Sequence, residues 1–323
     1  NLNDMDGVVR VVRHALMGTF LIEGTGAVVL TLCFLPRYGF LKGLWRGIFH
    51  AVSAFCNAGF DLLGTEGEFS SLASYNGNPV GLGFFVWEDI LRCGRDLRRL
   101  SLYSKMVLSF TAALILGGGL FFLLAEWDNP ATLGDMPGWK RVLNAAFQAV
   151  TLRTAGFDTI GQGNLRDSSL AMSCILMLIG GSSGSTAGGL KTVTVGVLFL
   201  TLRAGLAGRE EVTLRGRSIS HRRVMNALTL TLIVAVIFLA GSMIISLVDD
   251  VPFLSAAFES ASAMATVGVT VGITPTLSLF SHVLLICMMF LGRVGIMSFS
   301  IAFLARSKYP AKIKYPTMDI MIG

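Results

Sequence analysis

The chain has 323 residues, of which 53% are hydrophobic and only 14% charged, and its mean hydropathy is +0.68. Soluble domains carry about 25% charged residues, so this composition excludes an ordinary soluble enzyme and points to lipid as the surrounding medium. The net charge of +6 implies no nucleic-acid partner, because the basic residues cluster in loops beside apolar runs, as in the cytoplasmic loops of membrane proteins.

Taken in chain order, apolar runs long enough to span a bilayer, about 20 residues each, lie at 8–35, 102–126, 168–202, 222–248 and 276–305. Shorter apolar segments sit between them at 43–56, 140–151 and 252–264. These are too short to span and suit re-entrant half-helices. Each ends in a glycine segment: Asn57-Ala58-Gly59-Phe60-Asp61, Thr154-Ala155-Gly156-Phe157-Asp158 and Thr266-Val267-Gly268-Val269-Thr270. The phrases Ser53-Ala54-Phe55 and Ser262-Ala263-Met264 precede the first and third. The repeating unit is a long helix, a half-helix, a glycine loop and a second long helix, used over 1–99, 100–210 and 211–323. The predicted fold class is therefore all-α integral membrane, with repeated helix–re-entrant pore loop–helix units around a central pore. In the first unit the closing helix is reduced to Pro79–Leu91, which contains Glu88 and Asp89 and is too short to span. The five cysteines, Cys33, Cys56, Cys93, Cys174 and Cys287, include no C-x-x-C and read as small buried hydrophobes. The chain starts at Asn1 without a signal peptide and is read as trimmed at its front.

Charge sets the expected sidedness. Arg92, Arg95, Arg98, Arg99 and Lys105 lie between the first and second units, and Arg203, Arg209, Arg215, Arg217, Arg222 and Arg223 between the second and third. Arg306, Lys308, Lys312 and Lys314 follow the last run, while Glu126, Asp128, Asp135, Asp249 and Asp250 precede the half-helices. The positive-inside rule places the inter-unit loops in the cytoplasm of a multi-pass plasma-membrane protein, with the re-entrant loops entering from outside. Arg37, Lys42, Arg46, Lys140 and Arg141 depart from that pattern.

The glycine loops suit a cation pore. Backbone carbonyls replace an ion's water shell when the chain lies extended beside the pore axis, and glycine permits the required backbone angles. The C-terminal end of each half-helix adds about half a negative charge. Candidate ion-binding residues are Asn57, Ala58, Gly59 and Phe60; Thr154, Ala155, Gly156 and Phe157; and Thr266, Val267, Gly268 and Val269. Asp61 and Asp158 are expected at the outer rim, concentrating cations.

The 168–202 run is broken by Gly180-Gly181-Ser182-Ser183-Gly184-Ser185-Thr186-Ala187-Gly188-Gly189, which no lipid-facing helix contains; unwound backbone at this depth needs protein or a water-filled cavity around it. Gly180 to Gly184 fits the hydrolase pattern G-x-S-x-G, but no strand is predicted before Ser182 and only His14, His50, His221 and His282 are available as bases. Gly189-Leu190-Lys191-Thr192 departs from a phosphate loop by the inserted leucine. The stretch reads instead as a mobile gate in the pore's path, ending at Lys191. Arg293, inside the last apolar run, is expected to pair with carbonyls or hydroxyls of that stretch. Glu259, in the third half-helix, is placed to hydrogen-bond the filter backbone from behind.

The motifs Phe55-Cys56-Asn57-Ala58-Gly59-Phe60-Asp61, Arg153-Thr154-Ala155-Gly156-Phe157, Gly181 through Thr192 and Ala265-Thr266-Val267-Gly268 resemble the Trk/Ktr/HKT superfamily of potassium transporters, most closely its bacterial KtrB-type membrane subunits. The resemblance extends over nearly the whole chain. It implies potassium as the transported ion, with sodium as a second one, a filter around Gly59, Gly156 and Gly268, a gating loop over Gly180–Lys191, and Arg293 as the loop's contact. It also implies a homodimer resting on a cytoplasmic nucleotide-binding ring of the KtrA/TrkA type, so that ATP or ADP acts through a partner and the chain itself holds no cofactor. Family members have four repeats, and this chain matches the second to fourth. A partial sequence is therefore expected, with a non-conducting truncated or assembly subunit as the alternative to a potassium transporter.

Overall fold

The computed structural model describes residues 5–55, 60–62, 102–181, 187–209, 211–214 and 216–294, the side chains of 5–15 and 22 excepted. Helix α1, Met5–Phe55, passes through Pro36 and breaks at Gly39, where φ is 72° and ψ 177°. No residue with a Cβ adopts that conformation readily, so the chain reverses there. Its two arms then pack together: a Cβ on Gly47 would meet Thr31 Oγ1 at 2.2 Å and the Ala27 carbonyl at 2.9 Å. The span predicted at 8–35 and the half-helix at 43–56 are thus the two arms of one hairpin.

The second unit opens with α2, Leu102–Ala125, and its half-helix α3, Gly138–Thr151. At 24 residues, α2 is about 36 Å long, enough to cross a hydrocarbon core of about 30 Å. Gly118 lets α3 and the following helix come close, since a Cβ there would meet Leu176 Cδ1 at 2.9 Å and Ala149 Cβ at 3.2 Å. The run predicted at 168–202 forms two short helices, α4, Asp167–Leu178, and α5, Thr192–Leu206, separated by the glycine- and serine-rich break. A short antiparallel pair, β1, Thr213–Leu214, and β2, Arg217–Ser218, departs from the all-helical expectation between the second and third units.

The third unit comprises α6, His221–Asp249, the half-helix α7, Phe253–Ala265, and α8, Leu279–Val294. The predicted run at 276–305 is described only to Val294. Half-helix α7 lies at the centre, packed on α6 and α8 of its own unit and on α4 of the unit before. Every residue from Ala256 to Ala265 is buried.

Among the described residues, the hairpin Leu16–Phe55, α2 and α6 are long and apolar enough to cross a membrane. Their outer faces expose large apolar side chains such as Phe20, Leu116 and Leu247, which lipid covers. Two cysteines depart from the expected burial: Cys33 and Cys287 are exposed, while Cys174 is buried. Pro79–Leu91 and the basic residues around it, apart from Lys105, lie outside the described residues.

Candidate functional site

The half-helices α3 and α7 both end in a backbone that leaves the helical region in the same way. Thr154 has φ 78° and Gly156 φ 82°; Thr266 has φ 55° and Gly268 φ 96°. Positive φ two residues apart, separated by Ala155 or Val267, therefore recurs at matching positions. A β-branched residue in this region is an outlier that costs about 1–3 kcal/mol and persists only where the surroundings enforce it.

The enforcement comes from the half-helices. Thr151 Oγ1 donates to the Phe157 carbonyl at 2.5 Å, and Ser262 Oγ to the Val269 carbonyl at 2.6 Å. In the first unit Ser53 Oγ donates to the Phe60 carbonyl at 2.7 Å. In all three, a hydroxyl on the half-helix fixes the carbonyl just after the loop glycine. The Gly268 N–H additionally donates to Ser262 Oγ at 3.2 Å. Among the described residues, no protein donor reaches the carbonyls of Thr154, Ala155, Gly156, Thr266, Val267 or Gly268. Backbone carbonyls ordinarily find a partner in protein or water, so these six are available to water or a ligand. Asn57, Ala58 and Gly59 of the first candidate segment lie outside the described residues; Phe60 is present and exposed.

The break between α4 and α5 sits directly against this region. Ile179 and Leu190 form a parallel bridge that draws its two ends together. The Thr192 N–H donates to the Gly181 carbonyl at 3.0 Å, and the Leu190 N–H to that of Leu178 at 3.0 Å. A Cβ on Gly180 would stand 2.1 Å from the Gly188 carbonyl, so only glycine fits at this closure. Ser182 to Thr186 lie outside the described residues, while Gly180, Gly181, Ala187, Gly188, Gly189 and Lys191 are placed.

Two contacts tie the break to the glycine loops. The Gly188 N–H donates to Thr266 Oγ1 at 3.0 Å. Arg153, 3% exposed, donates through Nη2 to the Gly180 carbonyl at 3.3 Å and to Thr192 Oγ1 at 3.0 Å. Lys191 Nζ donates to the Ala187 carbonyl. Lys191 also lies within electrostatic reach of Arg293, and Arg293 is itself exposed. Next to it, Gly292 backs onto α7: a Cβ there would meet the Met264 carbonyl at 1.8 Å.

Comparison with known proteins shows the family of the chain. The chain matches TrkH, described as a cation transport protein, over residues 3–91 and 100–311. It is 40% identical over 335 residues to the potassium/sodium uptake protein NtpJ of Enterococcus hirae, with 100% of this chain and 74% of that protein covered. It is 33% identical to the Ktr system potassium uptake protein B of Bacillus subtilis, with the same shares covered. The chain belongs to the TrkH family of cation transport proteins. Its fold resembles the crystal structure of the potassium transporter TrkH from Vibrio parahaemolyticus, with a TM-score of 0.66 at 19% identity, covering 90% of this chain and 63% of that one.

As a TrkH-family member of the Ktr type, the chain is a multi-pass membrane transport protein, and the hydrolase reading of Ser182 falls away. The structure also brings in residues that sequence reasoning missed. Arg153 entered only as part of a motif, yet it joins the second unit's loop to the helix break. Asp158, expected at the outer rim, turns its carboxylate to its own loop. Its Oδ1 accepts from the Ile160 and Gly161 N–H groups at 3.1 Å each and from Gln162 Nε2 at 2.8 Å. A signal for the other missed residues lies in the aligned phrases Phe49-His50-Ala51-Val52-Ser53, Phe147-Gln148-Ala149-Val150-Thr151 and Phe258-Glu259-Ser260-Ala261-Ser262.

Proposed function

We propose that the protein takes up potassium, with sodium as a second ion, through a filter lined by the carbonyls of its glycine loops. The observation that carries this reading is the set of six carbonyls, Thr154 to Gly156 and Thr266 to Gly268, without a protein donor among the described residues. Carbonyl oxygens of this kind can replace a potassium ion's hydration shell. The alternation of positive and negative φ turns successive peptide planes to one side, which suits a row of ion ligands. Half-helices α3 and α7 aim their C-terminal ends at the same region, and their macrodipoles favour a cation there. The relatives' names specify potassium, or potassium and sodium, as the ions those proteins take up.

The Gly180–Lys191 stretch is the gate, with Arg293 acting on it from the last helix. Its attachment to Thr266 and Arg153 supports this assignment, since movement of the break is felt by two filter segments. The inter-unit loops face the cytoplasm. A homodimer standing on a nucleotide-binding ring would bring ATP or ADP control to the chain from a partner; the word "system" in the relative's name fits a multi-component transporter. Growth at low potassium of cells lacking their own potassium uptake tests the reading. Cells expressing the protein are expected to grow where empty-vector cells do not. Absence of growth with the protein inserted in the membrane contradicts transport and favours a non-conducting assembly role.

A further inference from the structure

The residue after the phenylalanine in each of the three aligned half-helix phrases is polar and almost wholly buried: His50 at 1%, Gln148 at 0% and Glu259 at 5% exposure. Polar side chains are rarely buried so completely without a specific partner. Each lies three residues before the hydroxyl that fixes the loop, Ser53, Thr151 or Ser262, and so on the same face of its half-helix, one turn back.

All three reach the chain beyond the glycine. Glu259 makes the strongest set: Oε1 accepts from Thr270 Oγ1 at 2.5 Å and the Val271 N–H at 3.0 Å, and Oε2 from Thr274 Oγ1 at 2.8 Å. Gln148 forms a reciprocal amide pair with Gln162, at 2.6 and 3.1 Å, and Gln162 holds Asp158, two residues past Gly156. His50 Nε2 accepts from the Leu62 N–H at 3.3 Å while Nδ1 donates to the Arg46 carbonyl at 2.7 Å. Those partners require the neutral ring with its proton on Nδ1.

Beyond each loop glycine the chain is therefore held at two heights: the hydroxyl grips the carbonyl immediately after the glycine, and the polar residue grips the chain two to six residues past it, at Thr270, Leu62 or Gln162. We infer that His50, Gln148 and Glu259 are positioning residues that set the radius of the filter and hence its preference for potassium over sodium. None of the three needs to touch the ion. They act through the loop backbone, and their chemistry differs by unit, a carboxylate with three donors in the last and a single imidazole acceptor in the first. Selectivity then depends most on Glu259.

This inference rests on the filter reading above, and its test keeps the two apart. The full protein is expressed in cells lacking their own potassium and sodium uptake, and initial rates are measured for each ion. Uptake of neither ion by the wild type contradicts the filter reading itself. If the wild type prefers potassium, Glu259→Ala is expected to lower the potassium-to-sodium rate ratio by about tenfold, the size expected when buried donors lose their acceptor. Glu259→Gln keeps one carbonyl acceptor and should fall between. A mere loss of folding would lower both rates together and leave the ratio alone. Should Glu259→Ala fail to reach the membrane, Thr274→Val removes one of its donors and is read instead, with a smaller fall in the ratio expected. An unchanged ratio in the inserted variant overturns the inference.

Discussion

Glu126 lies just beyond the end of α2 and is fully buried, where a lone carboxylate would be costly. Burial pushes its pKa up, but donors surround it: Asn129 Nδ2 at 2.6 Å, Thr132 Oγ1 at 2.8 Å and the Arg166 N–H at 3.0 Å. The hydrogen bonds prevail and hold the carboxyl below its ordinary value of 4.5. Because the folded value lies below that of the unfolded chain, the ionised group stabilises the fold above the unfolded value. That contribution vanishes as pH falls through the folded one. Glu126→Gln is expected to lose roughly 1–3 kcal/mol at neutral pH and to flatten the acid limb of stability below about pH 4.5, as read by thermal unfolding across pH. Arg141, in the first turn of α3, ties down the same loop. It donates to the carbonyls of Met136 at 2.7 Å, Trp127 at 3.1 Å and Gly134, and lies 4.8 Å from the Trp127 ring centroid. Its presence on the side predicted to be external thus has a structural reason, which charge counting alone does not register.

At the scale of elements, the short helices that precede the glycine loops were the most legible feature. The segments predicted at 140–151 and 252–264 are found at Gly138–Thr151 and Phe253–Ala265, because an apolar run too short to span is itself the signal. The reversal at Gly39 was less plain, since helical residues flank it on both sides and only the backbone angle marks the turn. His50 and Gln148 read as isolated polar residues in apolar phrases; their partners lie 12 and 14 positions away. Arg153 and Gly180 are 27 positions apart, beyond any local pattern. The two ends of the break are bridged at Ile179 and Leu190, so the chain can be closed there without the intervening stretch. Deleting Gly181–Gly188 is expected to raise potassium flux severalfold in membrane-inserted protein. Flux that is unchanged or reduced, with the protein correctly inserted, contradicts the gate assignment.

Across the whole molecule, the centre is built where units meet rather than within any one of them. Half-helix α7 packs on α4 of the preceding unit as well as on α6 and α8. The backbone of Gly188 and the hydroxyl of Thr266 join the break to the third unit's glycine loop, while Arg153 joins it to the second's. A displacement of the break therefore alters two walls of the proposed filter together, which is the leverage the proposed gate requires. The central claim is that the carbonyl-lined glycine segments carry the ion. Its most direct test is potassium flux into proteoliposomes by the wild type and by Gly268→Ala. Gly268 has φ 96°, a conformation that a Cβ disfavours, so alanine must distort the segment. The account predicts potassium flux in the wild type and a loss of about tenfold or more in the variant, in line with a strain of a few kcal/mol. A correctly folded Gly268→Ala protein with undiminished potassium flux would contradict it.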